Sequence, residues 1–372
     1  MNTAFIKWAD CLKRQIEFYQ SGSPRRRSDE EWIWYEKNEN IRELFRRSCP
    51  SLFSFLRVIS GRKSVRIYSN EWFSENSDAL WTTRLMLQDD LSRILFDNYL
   101  LLRCSDPSRF FYPRVEFSNF LNVDNKVDFV DDILPSNYGK DKLKIFDIQL
   151  NEHLNKIKLK IVASELNLQL FNTYRQYFIQ RDKPTDISFI PRQGEVVFDC
   201  GACIGEISTI FAGFVGENGQ VHTFDPTPLH TRFIELHSIL NPSFKSVFYI
   251  NELAVDRSSK IHLGTGLDTT DINPGPIVLK KFNSISLDEY TFSRSLSSVD
   301  FIKMDIEGYE QAALHGSKSI LKEFKPRLAI CAYHKPEDLW EIPLLIKSFN
   351  PGYKLYFEHH TSLFHEAVFY AD

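Results

Sequence analysis

The sequence predicts an α/β fold: a mostly parallel sheet flanked by helices, closed by an antiparallel C-terminal strand and preceded by a mainly helical region. Three observations lead there. From about residue 196 onward, strand-like and helical stretches alternate, the pattern that builds a parallel sheet with helices on both faces. The last two strand-like stretches, 353–358 and 366–370, are joined by a turn too short for a crossover, so they must pair antiparallel. Finally, Val196 to Glu206 followed by Val221 to Asp225 reads as an apolar strand, a glycine turn opening a helix, and a second strand ending in a carboxylate. That is a βαβ unit of the kind that holds an adenosine-containing cofactor.

The elements follow in order. Ile6 to Tyr19 is an amphipathic helix, ended by the polar break Ser21-Gly22-Ser23-Pro24-Arg25-Arg26-Arg27. Ser28 and Glu31 form a capping box that starts a second helix, and the three arginines read as a solvated linker. From Asp78 to Leu102 the apolar spacing is helical, with Leu87, Leu91, Ile94, Leu95 and Tyr99 three or four residues apart. Ile145–Leu150 and Ile157–Ile161 read as short strands and Leu166–Ile179 as a helix. Strand 196–199, helix 205–214, strand 220–224, helix 228–240 and strand 246–250 come next. Strand 299–304, helix 308–322, strand 327–332 and helix 338–347 lead to the final hairpin. Residues 1–150 are thus expected to be a helical accessory, substrate or oligomerisation region, 151–190 a connection, and 191–372 the cofactor-binding domain.

Composition narrows the function classes. The chain has 372 residues, 43% hydrophobic and 25% charged, which is globular. A net charge of −4 gives no global reason to bind nucleic acid or an anionic membrane. The N-terminus has no apolar signal region and no run approaches the ~18 apolar residues of a membrane span, so a cytoplasmic protein is expected. The six cysteines are scattered, as for reduced thiols. Cys200 and Cys203 form one C-x-x-C, but no second pair exists and this one lies inside the cofactor turn, which disfavours zinc or redox chemistry.

The turn itself selects the cofactor class. A dinucleotide turn needs G-x-G-x-x-G so that N–H groups close on a pyrophosphate; here the spacing is D-x-G-A-x-x-G over Asp199 to Gly205. A carboxylate beside a pyrophosphate is electrostatically unfavourable. The sulfonium and ammonium of S-adenosylmethionine suit it better, with Asp225 accepting both ribose hydroxyls. An ordinary α/β turn, in which Gly201 relieves strain and Asp199 caps the helix, remains the plain alternative. The closing antiparallel hairpin matches the Rossmann-like sheet of class I methyltransferases rather than that of dehydrogenases.

Sites in such sheets form outside the carboxyl ends of the strands. Those ends carry Asn251 and Glu252, then Asp305 and Glu307, then Tyr333 and His334. Methyl transfer to a hydroxyl requires positioning and proton removal. His334 can act as the base, with Asp305 orienting the ring or taking the proton. Alternatively Asp305, Glu307 and His334 hold Mg²⁺ or Mn²⁺, or Glu307 merely caps the following helix. His359 and His360 point to opposite faces of a strand, so at most one enters the site, and His365 reads as a turn residue. The Gly264–Pro276 stretch is either a loop over the acceptor or a plain hairpin.

Three segments resemble one family: Val299-Asp300-Phe301-Ile302-Lys303-Met304-Asp305-Ile306-Glu307-Gly308-Tyr309-Glu310, Ser286-Leu287-Asp288-Glu289-Tyr290 before it, and Tyr333-His334-Lys335-Pro336-Glu337-Asp338-Leu339 after it. They are similar to the signature of FkbM-family methyltransferases, from about Gly194 to the end. The resemblance implies a SAM-dependent O-methyltransferase acting on sugars of surface polysaccharides, glycolipids or nucleotide sugars, or on polyketide hydroxyls. It implies that Asp199, Gly201 and Gly205 line the methionine end of the cofactor, with Ala202 also in the cofactor-binding turn, and that Tyr174 or Tyr177 covers its carboxylate. Asp225 stands where the family more often has Glu, with shorter reach to the ribose. Asn251 and Asp305 complete the expected cofactor set, and His334, Asp305 and Glu307, with His359, face the acceptor. A reading of a different class is a non-catalytic SAM-binding scaffold whose helical N-terminal part holds partners or a second copy.

Overall fold

The computed structural model describes residues 3–21, 68–104, 121–128, 143–150, 157–164, 168, 175–181, 187–258, 260–265, 279–361 and 365–372. The tri-arginine segment, the helix expected from Ser28, Tyr174, and the Gly264–Pro276 stretch beyond Thr265 lie outside the described residues.

Helices α1 (Thr3–Ser21), α2 (Asn70–Met86) and α3 (Asp90–Cys104) come first. Strands β1 (Leu121–Asp128), β2 (Lys144–Leu150) and β3 (Ile157–Ala163) form an antiparallel sheet, followed by the short pair β4 (Gln180–Arg181) and β5 (Ile187–Ser188). Then come β6 (Val196–Cys200), α4 (Glu206–Val215), β7 (Gln220–Phe224), α5 (Pro228–Leu240), β8 (Phe248–Asn251) and β9 (Ala254–Val255). β10 (Lys260–Thr265), β11 (Leu279–Ile285), α6 (Leu287–Ser293), β12 (Phe301–Met304), α7 (Glu310–His315) and α8 (Lys318–Glu323) follow. β13 (Arg327–Cys331), α9 (Asp338–Phe349), β14 (Leu355–His359) and β15 (Ala367–Ala371) end the chain.

The central sheet has seven strands in the order β14-β15-β13-β12-β6-β7-β8. Only β15 runs antiparallel, against both β13 and β14, which is the closing hairpin expected from the short turn. Its inner strands, β6, β12 and β13, are buried at every position, as befits strands covered on both faces.

The N-terminal helices are not a separate body: they share one core with the sheet. Phe5, Trp8, Leu12 and Ile16 of α1 and Leu95, Phe96 and Tyr99 of α3 are buried in the same cluster as Phe357 and Phe369. Phe96 meets Phe357 edge-on at 5.3 Å. Each such side chain contributes about 1.5–3 kcal/mol of burial. The predicted single helix over 78–102 is two helices, because Leu87 is extended and pairs with Leu355, while Asp89 Oδ1 accepts from Ser92 N at 2.6 Å and restarts the chain. Gln88 N donates to Leu355 O and Phe357 N to Ser92 Oγ, so this link covers the outer edge of β14.

On the opposite face, α4 is buried at all ten positions, between the central sheet and the β1–β3 sheet. Phe211 and Phe214 pack with Phe146, Ile148, Leu150 and Leu159. The region read as mainly helical therefore also holds strands. Two further expectations change. Residues 175–179, predicted as helix, are turn and extended chain with Arg175 at φ 48° and Tyr177 at φ 68°. The helix expected over 308–322 is broken into α7 and α8 at Gly316, where a Cβ would lie 2.3 Å from Asp256 O.

Candidate active site

The β6–α4 turn is set by contacts inside the fold. Gly201 has φ +77°, and a Cβ there would lie 1.7 Å from the carbonyl oxygen of Asp305, so no other residue fits. The N–H groups of Gly201 and Ala202 both donate to Phe224 O, Cys203 N donates to Asp225 Oδ2, and Gly205 N donates to Ala202 O. With these donors engaged internally, the turn has no cradle for a pyrophosphate.

Asp199 has a different occupation from the one its position suggests. It is fully buried, its Oδ1 lies 3.0 Å from Lys303 Nζ, and its Oδ2 accepts from Ser208 Oγ at 2.5 Å. Lys303 stands opposite Asp199 in the β6–β12 register and also donates to Gly201 O at 2.7 Å. Burial would lower the Lys303 pKa, but Asp199 and Asp305 outweigh it and hold the ammonium above its ordinary value. The pair ties the turn to β12 rather than facing the cleft. Its signal in the sequence was a lysine inside the apolar strand Phe301-Ile302-Lys303-Met304.

At the end of β7, Asp225 is held by three donors. Oδ1 accepts from Thr227 N and His230 Nδ1, both at 2.9 Å, and Oδ2 accepts from Cys203 N at 3.0 Å. Asn251, expected at the cofactor, directs its amide nitrogen to Thr223 O, Tyr249 O and Tyr290 Oη. That nitrogen braces β7 and β8 instead of reaching the cleft.

The ends of β12 and β13 gather the ionisable groups. Asp305 Oδ2 accepts from Tyr177 Oη and Oδ1 from Tyr333 Oη, both at 2.9 Å. Tyr177 therefore lies on Asp305. Burial alone would raise the Asp305 carboxyl, but Lys303, His334 and the two phenols together hold it below its ordinary value. His334 Nδ1 lies 3.0 Å from Glu310 Oε1, while Nε2 lies 3.5 Å from Asp305 Oδ1 and 3.6 Å from Glu307 Oε2. Nε2 is aligned for no hydrogen bond with a protein group, so its two contacts are Coulombic, whereas Nδ1 faces Glu310 at hydrogen-bond distance. Burial would lower the imidazole pKa, yet Glu310, Asp305 and Glu307 raise it to about 9.

Glu307 does not cap the following helix. The N-cap is Tyr309, with no side-chain capping bond; Glu307 has φ 56°, and the buried Glu310 at the first helical position accepts from Ile306 N at 2.9 Å. Glu310 also displaces Glu307 from the expected metal set: the ligand atoms that converge within 4.8 Å are those of Asp305, Glu310 and His334. The carboxylates that flank both nitrogens of His334 favour its cationic form.

Glu366, just before β15, was not foreseen. It accepts from Gln176 Nε2, its Oε lies within 4.8 Å of Asp305 and Cys331 ligand atoms, and burial followed by the charge of Asp305 pushes it up to about 8. Only a glutamate at the start of a C-terminal strand marked it. Of the seven described non-glycine residues with positive φ, Arg175, Tyr177, Cys203, Glu307 and Glu366 flank these strand ends, a concentration of backbone strain typical of functional sites. His359 and His360 are tied to their neighbours in the C-terminal hairpin: His359 Nε2 contacts His365 O and His360 Nε2 contacts Tyr370 Oη.

Residues 199–369 match the family described as the methyltransferase FkbM domain. Among solved structures, the methyltransferase FkbM from Methylobacillus flagellatus KT aligns with a TM-score of 0.53 at 19% identity, covering 81% of this chain and 60% of that one. That likeness is one of fold, and the chain spans less than two thirds of its length. A putative rRNA-methylase from Clostridium thermocellum aligns at TM-score 0.33 and 10% identity, covering 57% of this chain and 96% of that one. Aeropyrum pernix fibrillarin in complex with S-adenosyl-L-methionine aligns at TM-score 0.35 and 10% identity, covering 68% and 99%. At those scores neither bears on the argument. No curated protein matches the sequence. Among the described residues, no helix is long and apolar enough to cross a membrane.

Proposed function

We propose that this chain, whose residues 199–369 match the methyltransferase FkbM domain, methylates a hydroxyl of a sugar, in a polysaccharide, glycolipid or nucleotide sugar, using S-adenosylmethionine in the cytosol. The donor set fits that cofactor. The turn offers no N–H cradle for a pyrophosphate, and the strand ends carry Asp225, placed to accept from a ribose, and Asp305, a carboxylate suited to a ligand bearing sulfonium and ammonium charges. When bound, S-adenosylmethionine supplies an electrophilic methyl group.

One observation carries the assignment of roles: the buried His334 Nε2 has no hydrogen-bond partner and sits between Asp305 and Glu307 at 3.5 and 3.6 Å. Those separations are too long for direct hydrogen bonds and suit an acceptor hydroxyl bridging the three groups. With its pKa at about 9, His334 is an imidazolium at pH 7 and donates to the acceptor oxygen. It is therefore a poor base at neutral pH. Asp305 already accepts from two phenols and its carboxyl is held low by Lys303 and His334 against burial, so it orients and Glu307 takes the proton. No step runs through a metal.

Isothermal titration tests the cofactor, and a mass-shift screen of sugar nucleotides and polysaccharide fragments tests the acceptor. Micromolar binding of S-adenosylmethionine that is lost in Asp225→Ala is expected. Absence of binding by the intact chain would sink the proposal.

A further inference from the structure

Asp225 is more heavily engaged than a ribose-binding acid can be if it takes both hydroxyls of a diol. An ionised carboxylate offers about four acceptor sites. Thr227 N and His230 Nδ1 fill both of those on Oδ1, each at 2.9 Å, and Cys203 N fills one on Oδ2 at 3.0 Å. Only one acceptor site, on Oδ2, is left.

The three donors are fixed by the fold. Cys203 is held at φ 50° inside the glycine turn, between Ala202, whose N–H is tied to Phe224 O, and the left-handed Gly205. Thr227 is the N-cap of α5, and its N–H belongs to the bend that starts that helix. His230 lies in the first turn of α5 with its side chain 8% exposed, so its ring is held by packing.

We infer that Asp225 binds the ribose of the cofactor through one hydroxyl alone, by Oδ2, and that His230 is the positioning residue that closes Oδ1 to the second. This rests on the S-adenosylmethionine reading. It changes the ligand logic at the site: the acid is a single-point acceptor of fixed orientation, and the other hydroxyl is left to solvent or to another part of the cleft.

The test is isothermal titration of the full chain with S-adenosylhomocysteine and its 2′-deoxy and 3′-deoxy analogues. One analogue is expected to bind within about twofold of the parent and the other at least about tenfold more weakly, the cost of one unmade hydrogen bond to a charged acceptor. Comparable weakening of both analogues, or of neither, would overturn the inference. Failure of S-adenosylhomocysteine itself to bind would instead remove the cofactor reading on which it stands. In His230→Phe, Oδ1 regains an acceptor site, so the tolerated analogue is expected to fall several-fold behind the parent compound. An unchanged ratio in a variant that still binds the parent would show that His230 does not close Oδ1.

Discussion

Replacing Lys303 by methionine removes the cation from the most buried ion pair described in the chain. Asp199 and Lys303 side chains are 0% and 4% exposed and 3.0 Å apart, so Lys303→Met leaves Asp199 with only Ser208 Oγ and also frees Gly201 O. Breaking a buried pair from one side costs about 3–5 kcal/mol, whereas replacing both partners is close to neutral. For a chain of this size that loss corresponds to roughly 4–6 °C in Tm. Thermal denaturation followed by circular dichroism reads it directly. The double variant Asp199→Asn/Lys303→Met is expected to recover at least about 2 kcal/mol, because the uncompensated carboxylate is gone. A single variant within about 1 kcal/mol of the parent, or a double variant worse than the sum of the singles, would refute the claim that this pair anchors the turn.

Two further outcomes concern catalysis. Glu307→Gln keeps shape and removes the proposed proton acceptor, so kcat is expected to fall about 10²–10⁴-fold with S-adenosylmethionine affinity unchanged, as titration calorimetry would record. Extended dialysis against EDTA is expected to leave turnover intact, since His334 rather than a metal balances Asp305, Glu307 and Glu310; activity lost in chelator and restored by Mg²⁺ or Mn²⁺ would return the metal reading.

The fold was largely legible because its signals are local. Alternating strands and helices, the short final turn and the strand-end positions of Asp225, Asp305 and His334 can all be read from spacing. What the sequence did not reveal depends on registers between distant elements. Lys303 faces Asp199 across a strand pair, and Glu366 reaches Asp305 from the antiparallel strand. Glu310, three residues past Glu307, takes its place in the converging set. The glycine motif looked like a ligand contact, yet Gly201 is fixed by the Asp305 carbonyl. Asn251 stands at its strand end as read, with its amide nitrogen turned to Thr223 and Tyr290.

The dependence of methyl transfer on pH tests the central claim most directly, because it asks whether His334 works as a cation or as a base. Its pKa rises from 6.5 to about 9 in the fold, so its stabilising contribution is complete below pH ~6.5 and lost as pH climbs through about 9. The profile of kcat/KM is therefore measured with the folded fraction monitored. If the imidazolium donates to the acceptor oxygen, kcat/KM of the folded protein is level up to about pH 9 and then drops tenfold per unit. A rate that climbs through pH 8 and levels off above about 9 would make His334 the base and contradict the account.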